Sequence, residues 1–216
     1  MNGNGSMGQV FYYTMLAIHI ASGGAALITG LIPLFSAKGG KLHRRAGLVF
    51  YYAMMAVAAS AFVIAVGKHL NFLLAVAVFS FYMNYMGRRV LKNRGGKFMW
   101  FDWLPVAAGL VTGVYLVSTL QIVAVVFGGI LVSMAVQDII MQLRGDEAIK
   151  KAAKLRVLTH ISRMVGTYIA TSTAFLVVNI NFVKPGWLLW LLPTAIGTPV
   201  IIYFTSQWRA KLKPAL

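Results

Sequence analysis

The sequence predicts an all-α, polytopic transmembrane bundle of seven helices, with the amino terminus outside and the carboxyl terminus in the cytoplasm. Three observations predict it. The 216 residues are 59% hydrophobic and 11% charged, with a mean hydropathy of +0.77, whereas soluble domains run near half apolar and a quarter charged. The apolar residues gather into seven runs, each near the roughly 20 residues that cross a bilayer. The basic residues fall almost wholly in alternate joints between those runs.

The first span, about 9–35, follows the polar opening "MNGNGSMGQV". That opening lacks the basic segment of a cleavable signal, and the run is too long for one, so it reads as a permanent span. The second, about 46–67, follows "SAKGGKLHRR", and the third, about 71–91, follows "GKHLN". The fourth and fifth, about 102–118 and 120–142, are separated only by a tight joint around "STLQ". The basic amphipathic stretch 144–157 precedes the sixth, about 158–180. Two readings of that stretch stay open, a short helix on anionic headgroups and a solvated joint. The seventh span covers about 186–207. Pro105, Pro193 and Pro199 lie inside spans, where neighbouring groups can satisfy the freed carbonyls. Pro193, Gly197 and Pro199 mark the last span as the bent one.

The orientation comes from the positive-inside bias. With the amino terminus outside, the cytoplasmic side receives Lys38, Lys41, Arg44 and Arg45, then Arg88, Arg89, Lys92, Arg94 and Lys97. It also receives Arg144, Lys150, Lys151, Lys154, Arg156 and Arg163, and the tail's Arg209, Lys211 and Lys213. Only Lys68 and Lys184 remain for the other face. An error of one span would destroy this alternation. The expected location is the bacterial cytoplasmic (inner) membrane, with the bilayer and its anionic headgroups as partners and a homodimer as an expected assembly. The net charge of +16 does not signal nucleic acid, because the basic residues form short clusters between apolar runs rather than one soluble face. Cysteine is absent, which excludes disulfides, thiol chemistry and cysteine metal sites.

Ionisable groups inside spans are functional candidates by default, because burying them is costly. In the first span His19, Gly23, Ala26 and Gly30 share one face, and Ser22, Ala26 and Gly30 form a small-residue series that lets helices approach. His19 is expected in that interface, either as a ligand or as a neutral histidine bonded to a neighbouring helix. In the sixth span His160, Arg163, Thr167, Thr171 and Ala174 form one stripe. His160 and Arg163 then lie just inside the cytoplasmic end. Asp138, Asp102, Asn84 and His43 reach a similar depth on other spans, and Asp138 is the expected carboxylate for Arg163. These residues are expected to line a cytoplasm-facing vestibule for a small polar solute or protons. The competing reading is a ring of ion pairs and snorkelling arginines that sets helix depth. Arg88 and Arg89 read as topology anchors. His69 is expected on an exposed loop.

Three function classes follow. Arg163 can hold an anionic group, His160 can relay protons near neutral pH, and a bent last span can move, as broken helices do in transporters. The alternative is a b-type haem between His43 and His160, the two histidines at matching depth. A third class is an accessory subunit with no site of its own. No zinc motif of the HExxH kind, nucleotide loop or nucleophile elbow is present, so an enzyme is not the leading reading.

The stretches "HIASGGAALITG" and "KLHRRAGLVFYYAMM", with "THISRMVGTYIATSTAF" and the proline-containing last span, resemble a family of bacterial predicted membrane proteins with a domain of unknown function. The marks are His19, His43 with Arg44, and His160 with Arg163. The resemblance implies a polytopic membrane protein over nearly the whole chain and carries no activity. The His, basic turn and His order of "HIASGGAALITGLIPLFSAKGGKLHRR" is also similar to cytochrome b561-type helices, with a different spacing.

Overall fold

A computed structural model describes residues 3–212. Lys213 of the basic tail lies outside the described residues. The described chain is all-helical. Its eight α-helices are α1 (Gly3–Phe35), α2 (Lys41–Gly67), α3 (Asn71–Lys92), α4 (Trp103–Ser118), α5 (Ile122–Leu143), α6 (Asp146–Lys154), α7 (Arg156–Asn179) and α8 (Trp187–Leu212). A short 3-10 turn, Trp100–Asp102, leads into α4.

Among the described residues six segments are long and apolar enough to cross a membrane: Gly8–Phe35, Lys41–Gly67, Trp100–Ser118, Ile122–Leu143, Arg156–Asn179 and Trp187–Leu212. Their edges lie within a few residues of the sequence expectation. The seventh expected span, about 71–91, forms α3 but is not apolar enough to join the six. Asn84, Arg88, Arg89 and Lys92 occupy its last nine residues, and these dilute its hydropathy. Burial gives the physical reason such a helix is stable. Ala75, Phe79, Tyr82, Met83 and Asn84 are all buried, and a helix covered by protein need not be apolar on every face. Within the stretch 144–157, Asp146–Lys154 forms a helix of its own, α6, with Ile149 buried. The last helix runs through Pro193 and Pro199 without interruption.

The chain divides into two compact units, Met1–Phe81 and Tyr82–Leu216. In the first, α1 packs on α2. Ala26 and Gly30 of the small-residue series are buried, whereas a side chain added at Gly23 would meet open space. The α1–α2 turn needs Gly39 at φ 76, a left-handed conformation that glycine adopts without a steric penalty. Lys38 Nζ closes α1 by donating to the Pro33 and Leu34 carbonyls at 2.8 and 2.6 Å.

In the second unit α4 packs on α5 through backbone contact. A Cβ at Gly128 would stand 2.7 Å from the Gly113 carbonyl oxygen, and one at Gly113 would stand 3.0 Å from that of Gly128. Gly109, one turn before Gly113, faces the Tyr82 ring. Gly109 and Gly113 form a G-x-x-x-G pair, the spacing that puts two small residues on one helix face. Against α8, Ile169 of α7 fills the place a side chain at Gly197 would need.

Candidate functional site

The polar core of the second unit is assembled by α3, α5 and α7. Arg163 Nη2 donates to Asp138 Oδ1 at 2.6 Å, with the two side chains 6% and 9% exposed. Tyr82 Oη donates to Asp138 Oδ2 at 2.5 Å, and its ring lies under the Arg163 guanidinium, 5.4 Å away. Both oxygens of one carboxylate are therefore engaged. A buried ion pair is tolerated only where such extra bonds offset the desolvation of both charges.

Glycine decides how closely α7 approaches α3. A Cβ on Gly87 would stand 3.0 Å from Arg163 Cβ and 2.9 Å from Met164 Sδ, and Met83 occupies the space beside Gly166. The same close approach brings His160 Nδ1 within 2.8 Å of the Gly87 carbonyl. A carbonyl only accepts, so Nδ1 carries the proton. Thr167 is fully buried and donates to the Arg163 carbonyl, and Thr171 donates to that of Thr167, both at 2.8 Å. The polar stripe of α7 does face inward, but these two hydroxyls are bonded to its own backbone.

Asp102 belongs to a second cluster. Arg89 grips it with Nε on Oδ1 at 2.7 Å and Nη2 on Oδ2 at 2.8 Å. Tyr85 Oη adds a bond at 3.2 Å and the Met99 amide one at 2.9 Å. Asp102 is completely buried. Bidentate pairing is the strong form of this bond. Arg89, expected as a topology anchor, thus fastens the start of α4 to α3. Gln142 completes the joint by donating to the Gly96 carbonyl and accepting from the Phe98 amide, each at 3.0 Å.

Between these clusters lies a cleft with about 50 Å³ of water-accessible space. Its walls are Met86, Arg89 and Val90 of α3, Asn93, Gly96 and Phe98 of the joint, Asp138 and Met141 of α5, Ala152 and Ala153 of α6, and Arg156, Thr159 and Arg163 of α7. Helix α6 covers it, because Ile149 and Ala153 pack directly on Gly96, whose φ of 78 suits glycine. Three guanidinium groups line the cleft and one carboxylate faces them. Arg156 donates to the Ala153 carbonyl at 3.1 Å, and among the described residues it forms no ion pair.

Of the residues expected in one vestibule, Arg163 and Asp138 line this cleft. Asp102 stands behind Arg89, and His160 lies one turn from Arg163 on the Gly87 carbonyl. Asn84 and Thr167 are fully buried and do not line it. His43 and His19 belong to the first unit. His43 Nδ1 faces the Pro33 carbonyl at 3.3 Å. His19 Nδ1 meets Ser60 Oγ at 3.2 Å, joining α1 to α2. His69 is exposed on a turn. Tyr82, Gln142 and Arg156 were not singled out by sequence. No group of three or more His, Cys, Asp or Glu residues that could hold a metal occurs among the described residues. Comparison with protein-family models, curated proteins and solved structures finds no match.

Proposed function

We propose that the protein is a seven-span protein of the bacterial inner membrane, amino terminus outside, whose cytoplasm-facing cleft binds a small anionic solute. The observation that carries this reading is the charge imbalance of the cleft, where Arg89, Arg156 and Arg163 face Asp138 alone. Adding Asp102, which pairs with Arg89, still leaves one guanidinium in excess, and Arg156 is the one without a carboxylate. A planar fork of donors suits carboxylate, phosphate or sulfate oxygens. The space is of the right order, since a water needs about 10–15 Å³ on this measure, so about three to five waters or one small oxyanion fit. A guest competes with Asp138 for Arg163 and meets Arg156 first.

Two features support the topology. Helix α3 has 22 residues, and at 1.5 Å per residue it spans about 33 Å, enough for the hydrocarbon core. Counting α3 as a span also places every basic residue except Lys68 and Lys184 on one side, as the positive-inside bias requires. The cleft sits where α3 and α5 end and α7 begins, on that basic side.

A thermal-shift panel tests the reading. Formate, acetate, sulfate and phosphate are compared with chloride at constant ionic strength, in wild type and in Arg156→Gln. At least one oxyanion should raise the midpoint of the wild type and not that of the variant. Equal shifts in both proteins, or none in either, count against it.

A further inference from the structure

Residues 1–81 hold five basic side chains and no carboxylate; the first acid in the chain is Asp102. Four of the five lie within residues 38–45, at the α1–α2 turn. Lys38 is engaged with the end of α1. Lys41, Arg44 and Arg45 are exposed on the first turns of α2, and among the described residues no ion pair includes them. Leu42, on the same first turn of α2, borders an open groove of about 620 Å³, formed mainly by Leu27, Ile28, Leu31, Ile32 and Phe35 of α1. It is almost entirely apolar, and Ile28 and Phe35 are 70% and 83% exposed. Arg45 stands one turn beyond Leu42 on the same helix face.

We propose that this groove binds an anionic phospholipid, with an acyl chain along α1 and the phosphate against Lys41, Arg44 and Arg45. The apolar wall covers the last two turns of α1, about 12 Å, and ends where the cations begin. That order, apolar then cationic, matches the order of chain and headgroup at a membrane surface. Gly40 caps α2 without a side-chain bond, so the first amides of α2 also face an incoming oxygen. A free phosphate would use the cations and ignore the groove. A second copy of the chain would bring another set of cations to the same contact and no carboxylate, because a two-fold contact repeats the same patch. The site lies wholly within residues 27–45 and stands or falls independently of the Arg156 cleft.

Native mass spectrometry of the full chain in detergent tests this, using phosphatidylglycerol and phosphatidylcholine with identical acyl chains. Phosphatidylglycerol should stay bound under activation that strips phosphatidylcholine, and its affinity should fall as salt rises. The triple variant Lys41→Gln, Arg44→Gln, Arg45→Gln should bind it about 100-fold more weakly. Ile28→Trp, which fills the groove at an exposed position, should weaken it about tenfold. Equal retention of the two lipids by wild type, or full retention by either variant, overturns the proposal. Displacement of the lipid by glycerol 3-phosphate would mean a phosphate site that ignores the groove, and also overturns it. The chain has no cysteine, so Ile28→Cys supplies a single thiol. Its cross-linking into dimers in lipid-free detergent would assign the groove to a second copy instead.

Discussion

Arg163 on α7 reaches Asp138 on α5 across 2.6 Å, and both are nearly buried at the cleft wall while Tyr82 on α3 holds the other carboxylate oxygen. Three helices therefore meet at one carboxylate. Removing either charge leaves the other buried and uncompensated, which costs about 3–5 kcal/mol in soluble proteins. Arg163→Met and Asp138→Asn should each lower the unfolding midpoint in detergent strongly. The double variant Asp138→Leu, Arg163→Met should recover most of the loss, because an apolar pair of similar volume carries no desolvation penalty. Additive losses in the double variant would show that the pair is not coupled.

Tyr82→Phe removes one hydrogen bond to an ionised carboxylate and keeps the ring beneath Arg163. A loss of about 1.5–3 kcal/mol is expected, smaller than that of Asp138→Asn. Reversible denaturation of the two variants side by side gives the ranking.

The Gly113–Gly128 contact predicts a contrast among glycines of similar surroundings in sequence. Gly128→Ala would place a methyl 2.7 Å from a backbone carbonyl and should cost about 1–3 kcal/mol by forcing α4 from α5. Gly129→Ala and Gly23→Ala meet open space and should leave the midpoint unchanged or raise it slightly through helix propensity. Comparable losses at all three positions would contradict the packing described.

Topology is tested with phosphatase fusions, which are active only outside the cytoplasm. Fusions at Asn93 and after residue 216 should be inactive, and one at His69 active. An active fusion at Asn93 would mean that α3 does not cross.

The helices were legible in the sequence because apolar run length and joint chemistry are local. The pairing of Arg163 with Asp138 was legible too, since each is an isolated charge at matching depth on adjoining spans. Arg89 was not, because an arginine at a helix end looks the same whether it meets headgroups or grips Asp102. Tyr82 gave no signal, as one aromatic in an apolar run has no periodicity to betray a polar partner. Arg156 was hidden in a basic joint, where only tertiary placement separates a solvated charge from a cleft wall. The G-x-x-x-G of Gly109 and Gly113 was written in the sequence, but its partner Gly128 depends on how α4 meets α5.

The most direct test of the anion cleft is calorimetric titration of sulfate and acetate into the purified protein at fixed ionic strength. Wild type, Arg156→Gln and Arg209→Gln are compared, the last removing an exposed cation from α8. Saturable heat with one anion in wild type and Arg209→Gln, and its loss in Arg156→Gln, is the result expected. Saturable heat that survives Arg156→Gln, or its absence from all three proteins, would contradict the account.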